Sequence, residues 1–84
     1  MLFRSSTVIK AYILVQTEVG ASAAVTRAIA ELPGVESAED VAGPYDVIAV
    51  VTAPTVQALG REVLANVQAV PRITRTTTCT VVEF

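Results

Sequence analysis

Residues 45–53 of the chain read YDVIAVVTA, an almost unbroken apolar run that is rich in β-branched side chains. Gly43 and Pro44 precede this run and Pro54 follows it, and a bounded run of this type is typical of a strand that is covered on both faces. Residues 8–16, VIKAYILVQ, form a second run, with apolar side chains in both of its alternating sets. We therefore expect both segments to be central strands of one sheet.

Two helices are predicted from apolar residues that recur at intervals of three and four. The first helix ends at Pro33 and Gly34, and its apolar stripe consists of Val25, Ala28, Ile29 and Leu32. The second helix follows an expected N-cap at Thr55, with Gly60 on the apolar side, where it allows close approach to the sheet. Its apolar stripe consists of Val56, Leu59, Val63 and Val67.

The remaining segments predict two weaker strands. Residues 35–42 carry the acidic side chains expected of an edge strand, and residues 72–82, RITRTTTCTVV, form the last strand. The order strand, helix, strand, strand, helix, strand indicates an α+β ferredoxin-like sandwich, βαββαβ, with a four-stranded antiparallel sheet and both helices on one face. The expected domain is residues 8–84, after an N-terminal extension of residues 1–7.

The other face of that sheet is also apolar. Tyr12, Leu14, Val81 and either Val47 or Ile48 are expected there. An exposed apolar face of this extent is a liability in a monomer, so the sequence predicts a dimer that packs face to face through its sheets.

Composition excludes several classes of function. The 84 residues include no His and no Trp, and a single cysteine, Cys79, is expected to pack in its strand as a small apolar side chain. Without imidazole groups or paired cysteines, we expect no metal site, no cofactor and no enzymatic activity. The net charge of −2 and the scattered basic residues argue against nucleic-acid binding, and the absence of a signal peptide or membrane-spanning stretch predicts a cytoplasmic protein.

Two local patterns are candidate binding sites. The turn from Gly43 to Asp46, GPYD, places backbone amides where they can face a carboxylate, and the last strand carries Thr74, Thr76, Thr78 and Thr80 on one face, opposite Ile73, Arg75, Thr77, Cys79 and Val81. Hydroxyls at Thr76 and Thr78 can hold the charged groups of a small zwitterion. From the residues alone, an ordinary hairpin turn and an ordinary half-exposed strand are the preferred interpretations.

Three segments in one order resemble the ligand-binding domain of the Lrp/AsnC transcriptional regulators, the regulation-of-amino-acid-metabolism domain. They are AYILVQTEVG, ELPGVESAEDVAGPYDVIAVV and ITRTTTCTVV. The resemblance implies dimers formed by sheet stacking, assembly of dimers into an octamer, and an effector, usually an amino acid, bound between dimers. It also implies a stand-alone domain without a helix-turn-helix segment, which does not contact DNA itself.

Transferred by position, the resemblance implies an effector site at Val41, Ala42, Gly43, Pro44, Tyr45 and Asp46, with Thr76 and Thr78 from the last strand. Pro44 stands where the family usually has an acidic residue. The sequence therefore predicts a non-enzymatic sensor of an amino acid or related small carboxylate that is also an oligomerisation module.

Two alternatives remain open. One is a small enzyme of the same fold, either an acylphosphatase-like hydrolase or a cofactor-free oxygenase. An acylphosphatase would need an arginine and an asparagine that converge on phosphate, for which Arg27 and Asn66 are the candidates. The other is a ligand-free scaffold that assembles with full-length Lrp/AsnC regulators.

Overall fold

A computed structural model describes residues 8–82 of the chain, and the expected extension at residues 1–7 lies outside the described residues. The elements follow the order β1 (Ile9–Thr17), α1 (Ser22–Ala30), β2 (Val35–Asp40), β3 (Val47–Ala53), α2 and β4 (Ile73–Thr80). We use α2 for one continuous helical region made of Val56–Ala58, a π-helical segment Leu59–Leu64, and Ala65–Gln68. The predicted βαββαβ order and ferredoxin-like fold are confirmed.

The four strands form one antiparallel sheet in the order β2-β3-β1-β4, so β1 and β3 are central as predicted. Alternate residues of the central strands are fully buried beneath the helices, among them Ile13, Val15 and Val47. The other face, which we call the open face, is covered by no element among residues 8–82. Its residues are Lys10, Tyr12, Leu14 and Gln16 on β1, Ile48, Val50 and Thr52 on β3, Ser37 and Glu39 on β2, and Arg75, Thr77 and Cys79 on β4.

Of the two alternatives at positions 47 and 48, Ile48 therefore lies on the open face and Val47 lies in the core. Cys79 is exposed on the open face opposite Tyr12, so the expectation that its side chain is packed is wrong for the protomer. The reason is that no second layer covers this face within one chain. Neither helix in the described part of the chain is long and apolar enough to cross a membrane.

The core lies between the sheet and the two helices. From α1, Val25 and Ile29 are buried, and from α2, Leu59, Val63 and Val67. Burial of aliphatic side chains of this size contributes about 1.5–3 kcal/mol each to the free energy of unfolding. Most of the apolar residues that the sequence assigned to the helix stripes are therefore part of the core.

The sequence was wrong about two residues of α2. Val56 is 64% exposed, and Gly60 faces open space, with no atom within 4 Å of the position a Cβ would take. A π-helical segment has more residues per turn than an α-helix, so the sheet-facing positions of Leu59–Leu64 differ from those expected from α-helical spacing. The N-cap at Thr55 is confirmed, because its Oγ1 accepts a hydrogen bond from the Ala58 N–H at 3.0 Å.

A bulge changes the face of one residue at the start of β4. Gln16 pairs with Arg75 and Thr17 pairs with Ile73, so Thr74 is the extra residue between them. Strict alternation predicted that Ile73 lies on the face opposite Thr76. Because of the bulge, Ile73 packs against the core instead. From Thr76 onward the alternation holds as predicted.

The turns that follow the two helices share a backbone conformation. They read Leu-Pro-Gly-Val at residues 32–35 and Val-Pro-Arg-Ile at residues 70–73. The residue after proline has a positive φ in both, +86° at Gly34 and +73° at Arg72. Arg72 is the only non-glycine residue with a positive φ among residues 8–82, and this conformation costs an L-residue roughly 1–2 kcal/mol.

Candidate functional site

The segment between β2 and β3 is a loop of residues 41–46 at the end of the sheet where β1 ends, which we call the loop end. β2 is shorter and β3 begins later than predicted, so the loop is longer than a tight hairpin turn. Its base is closed by a hydrogen bond from the Val41 N–H to the Asp46 carbonyl at 2.9 Å. The Asp46 N–H donates to the Val15 carbonyl at 2.8 Å, which joins the loop to β1.

The Asp46 carboxylate fixes the loop to the last residue of β1. Its Oδ2 accepts a hydrogen bond from the Thr17 N–H at 2.8 Å and a longer one from the Thr17 hydroxyl at 3.4 Å. A hydrogen bond from a backbone N–H to a carboxylate contributes roughly 1.5–3 kcal/mol. Both residues are half-buried, so this contact is partly shielded from water. In the protomer, Asp46 therefore orders the loop.

Pro44 and Tyr45 carry the loop over the end of the open face. The Gln16 side-chain amide donates to the Pro44 carbonyl at 3.0 Å, and the Tyr45 and Thr77 hydroxyls are hydrogen-bonded at 3.3 Å. The half-buried Tyr45 ring thus reaches β4 across β1. The hydroxyl that the loop contacts on the last strand is that of Thr77.

Thr76 and Thr78 lie on the helix-covered face of the sheet. They pair with the buried residues Val15 and Ile13, and the Thr76 hydroxyl accepts a 3.4 Å hydrogen bond from the side chain of Gln68 in α2. Within one protomer, these two threonines are therefore on the opposite face from the Tyr45 hydroxyl.

Sequence reasoning missed Gln16, Thr17 and Thr77 as contacts of the loop. The alternation of β4 was visible in the sequence, but the face that carries Thr77 depends on the register between β1 and β4. The bulge at Thr74 interrupts that register, and no sequence signal marks it. Thr17 lies one residue beyond the run of residues 8–16 that predicts the strand, because no residue type there distinguishes a strand end from a turn.

The loop presents unused hydrogen-bond donors. The N–H groups of Ala42, Gly43 and Tyr45 donate to no other group among residues 8–82. Ala42 and Gly43 are exposed residues, so this part of the loop lies at the surface. Consecutive backbone donors of this kind bind carboxylates and other anions.

Two charged residues lie at the same end of the sheet. The Glu18 N–H donates to the Arg72 carbonyl at 2.9 Å, and the Arg72 Nε lies 3.3 Å from Glu18 Oε1. Both side chains are about half exposed, so the ion pair contributes at most about 1 kcal/mol. Sequence reasoning did not select either residue, because the two are far apart in the chain.

The residues proposed for an acylphosphatase-like reaction do not line a common cleft. Asn66 lines a cleft of about 400 Å³ with Thr52 and Glu62, where β3 ends and therefore at the end of the sheet away from the loop. Arg27 is an exposed residue of α1 and does not line that cleft.

The comparisons with known proteins concern the family and the fold. Residues 10–84 match the family model described as the Lrp/AsnC ligand binding domain. No curated protein sequence gives a significant match. The crystal structure of TTHA0845 from Thermus thermophilus is 32% identical, with a TM-score of 0.83, and the alignment covers 90% of this chain and 95% of that protein.

Two further structures are similar. The hypothetical protein PHS023 from Pyrococcus horikoshii is 28% identical, with a TM-score of 0.81 and coverage of 90% of this chain and 92% of that one. The transcriptional regulator NMB0573 from Neisseria meningitidis, whose structure is an L-Met complex, shares the fold with a TM-score of 0.75 at 17% identity. The alignment covers 89% of this chain and 50% of that protein. The family match covers nearly the whole chain, so this chain belongs to the Lrp/AsnC ligand-binding domain family.

Proposed function

We propose that the chain is a non-enzymatic sensor of an amino acid or related small carboxylate, and that the effector binds at the loop end between dimers. The observation that carries this proposal is the loop of residues 41–46, whose base is held by hydrogen bonds and which keeps three N–H donors unused. A regulator-related, effector-binding role follows from the family match. The L-Met complex of NMB0573, which has the same fold, supports an amino acid as the effector.

In the proposed site, the N–H groups of Ala42, Gly43 and Tyr45 bind the effector carboxylate. Asp46 either accepts from the effector ammonium through Oδ1 or acts only by ordering the loop, while Val41 and Pro44 complete the loop. Thr76 and Thr78 contribute from a neighbouring subunit, because in the same protomer they lie on the other face of the sheet. A site that spans subunits makes effector affinity depend on the assembly, and effector binding then shifts the assembly equilibrium.

The proposed assembly begins with a homodimer that buries the open face, and dimers associate further into an octamer. Full-length Lrp/AsnC regulators are further proposed partners, and the chain itself contacts no nucleic acid. The apolar centre of the open face supports this dimer: Leu14 and Ile48 are adjacent across β1 and β3, and Tyr12 is 39% exposed. The proposed location is the cytoplasm.

We expect one or more of the twenty amino acids to raise the thermal unfolding midpoint of the unmodified protein. At a ligand concentration of about 100 times Kd, binding adds about 2.7 kcal/mol to the free energy of unfolding. In the Asp46→Ala variant the Thr17 contacts are lost, and we expect the protein to be destabilised by about 1.5–3 kcal/mol and to show no effector response. A thermal-shift screen of both proteins measures these effects.

The Asp46→Asn variant separates the two possible roles of Asp46. An asparagine can keep an acceptor oxygen toward the Thr17 N–H but has no charge for an ammonium group. If Asp46 binds the effector, Asn abolishes the response; if it orders the loop, Asn retains most of it. A response that survives unchanged in Asp46→Ala, or no response by the unmodified protein to any amino acid, contradicts the proposed site.

A second prediction concerns the hydroxyl pair of Tyr45 and Thr77. We expect Thr77→Val to weaken the effector response several-fold, because the Tyr45 ring loses its polar contact on β4 and the loop becomes less ordered. Thr74→Val, at the bulge, is the matched control and should leave the response unchanged. Equal responses of the two variants in the same thermal-shift assay would show that the Tyr45 contact has no role in binding.

A further inference from the structure

A second cleft lies between α1 and the turn before β4, within a single protomer. Its volume is about 170 Å³, and it is lined by Ala24, Val25, Ala28, Val70, Pro71 and Arg72. Five of these six residues are apolar, and Arg72 is the one charged residue. A cleft of this volume suits the short apolar body of a small ligand.

The backbone at Arg72 is held in a conformation that favours glycine. The equivalent position after α1 is Gly34, with nearly the same φ, and that turn also follows a proline. Arg72 lies in the turn directly before β4, and its carbonyl accepts the Glu18 N–H at 2.9 Å. Residues held in sparsely populated conformations are concentrated at binding sites. The strained backbone at Arg72 is therefore consistent with a binding role for its side chain.

The Arg72 guanidinium already binds a carboxylate, that of Glu18, with 3.3 Å between Nε and Oε1. The two side chains are 51% and 56% exposed, so a carboxylate from solution can replace Glu18 without unfolding any element. Arginine has several N–H donors in a fixed plane and can hold a carboxylate through two parallel hydrogen bonds. A free carboxylate with an apolar body can thus use the guanidinium and the cleft together.

We propose that this cleft binds a short branched aliphatic carboxylate, with its apolar body against Ala24, Ala28 and Val70 and its carboxylate on Arg72 in place of Glu18. Charge complementarity with Arg72 and the apolar walls select this class of ligand. The site lies within one protomer and uses no residue of the loop at positions 41–46. The cleft therefore goes beyond the effector site proposed above, and neither proposal depends on the other.

The test is an NMR titration of the intact protein with sodium 3-methylbutanoate, followed at the methyl groups of Ala24, Ala28 and Val70. We expect saturable shifts at these methyls, and at least tenfold weaker binding for acetate, which lacks the branched body, and for 3-methylbutan-1-ol, which lacks the charge. Shifts confined to residues 41–46 would overturn the cleft proposal and favour the loop site. The absence of saturable shifts anywhere would also overturn it.

Two variants test the exchange at Arg72. Arg72→Gly suits the left-handed backbone, so the protein should remain folded, and we expect 3-methylbutanoate to bind at least tenfold more weakly. Glu18→Gln removes the competing carboxylate, and we expect two- to fivefold tighter binding. Arg61→Gly, at an exposed position of α2, is the control for lost positive charge and should leave the affinity unchanged. Unchanged affinity in Arg72→Gly, or weaker binding in Glu18→Gln, would exclude the proposed exchange.

Discussion

We expect the Gly34→Ala variant to unfold at a midpoint roughly 10–25 °C below that of the unmodified protein, as measured by calorimetry or circular dichroism. The expected loss is about 2–4 kcal/mol, and for a domain of this size each kcal/mol lowers the midpoint by roughly 4–8 °C. Two costs contribute. The positive φ of +86° disfavours any L-residue by about 1–2 kcal/mol, and crowding of the new methyl group adds about 1–2 kcal/mol.

The crowding follows from the position of Gly34 between β3 and α2. A Cβ at this residue would lie 2.8 Å from the Val63 Cγ2 and 3.1 Å from the Thr52 carbonyl oxygen. Val63 is almost fully buried, and the Thr52 N–H donates to the Gly34 carbonyl at 2.8 Å, so neither neighbour can move away without loss. The methyl group must therefore displace packed atoms.

Gly20→Ala is the matched control for this experiment. Gly20 has nearly the same φ, +80°, but no atom lies within 4 Å of its added Cβ. We expect Gly20→Ala to cost only the conformational part, about 1–2 kcal/mol. Equal losses in the two alanine variants would show that the close approach of Gly34 to Val63 is unimportant for stability.

A double-mutant cycle with Val63→Ala isolates the steric contribution further. Val63→Ala alone leaves space in the core and is destabilising. In that background, Gly34→Ala should cost less than in the unmodified protein, because the closest contact at 2.8 Å has been removed, but more than Gly20→Ala, because the Thr52 carbonyl oxygen still lies 3.1 Å from the added Cβ. Strict additivity of the two substitutions would contradict this contact.

The sequence predicted the fold well because its central strands carry unusually clear signals. The YDVIAVVTA run and the apolar residues of β1 predicted two buried strands. The apolar stripes of the helices predicted Val25, Ile29 and Leu59, which are buried in the core. The same information does not determine close contacts. Gly34 was expected to end α1, but its contact with Val63 depends on how α2 packs, 29 positions later in the chain.

The candidate site was less predictable than the fold, for a geometric reason. Local sequence placed the loop correctly as a turn between β2 and β3, because Gly43 and Pro44 are strong turn residues. Its contacts with Thr17 and Thr77 are set by the register of two neighbouring strands and by a bulge at Thr74. Such features arise from pairing across the sheet, so residue spacing within one strand does not reveal them.

The open face carries the second large prediction. We expect the unmodified protein to form a stable dimer at micromolar concentration, and Leu14→Glu to weaken the dimer at least a hundredfold. Leu14 lies in the middle of this face, next to Ile48 on β3 and Thr77 on β4. In a face-to-face dimer related by two-fold symmetry, each subunit would place one carboxylate in the apolar interface. An unpaired buried charge costs about 3–5 kcal/mol, which corresponds to a hundredfold or more in affinity.

Two further variants make the result interpretable. Tyr12→Glu changes a residue that is 39% exposed in the protomer, so it should weaken the dimer with little effect on the fold. Circular dichroism checks that Leu14→Glu remains folded. Val56→Glu introduces the same charge at a residue that is 64% exposed on α2 and should leave the dimer intact. Sedimentation equilibrium of all four proteins distinguishes the outcomes. A monomeric unmodified protein, or equal dissociation of the Tyr12 and Val56 variants, would mean that the open face is not the dimer interface. The apolar side chains of this face would then need another partner.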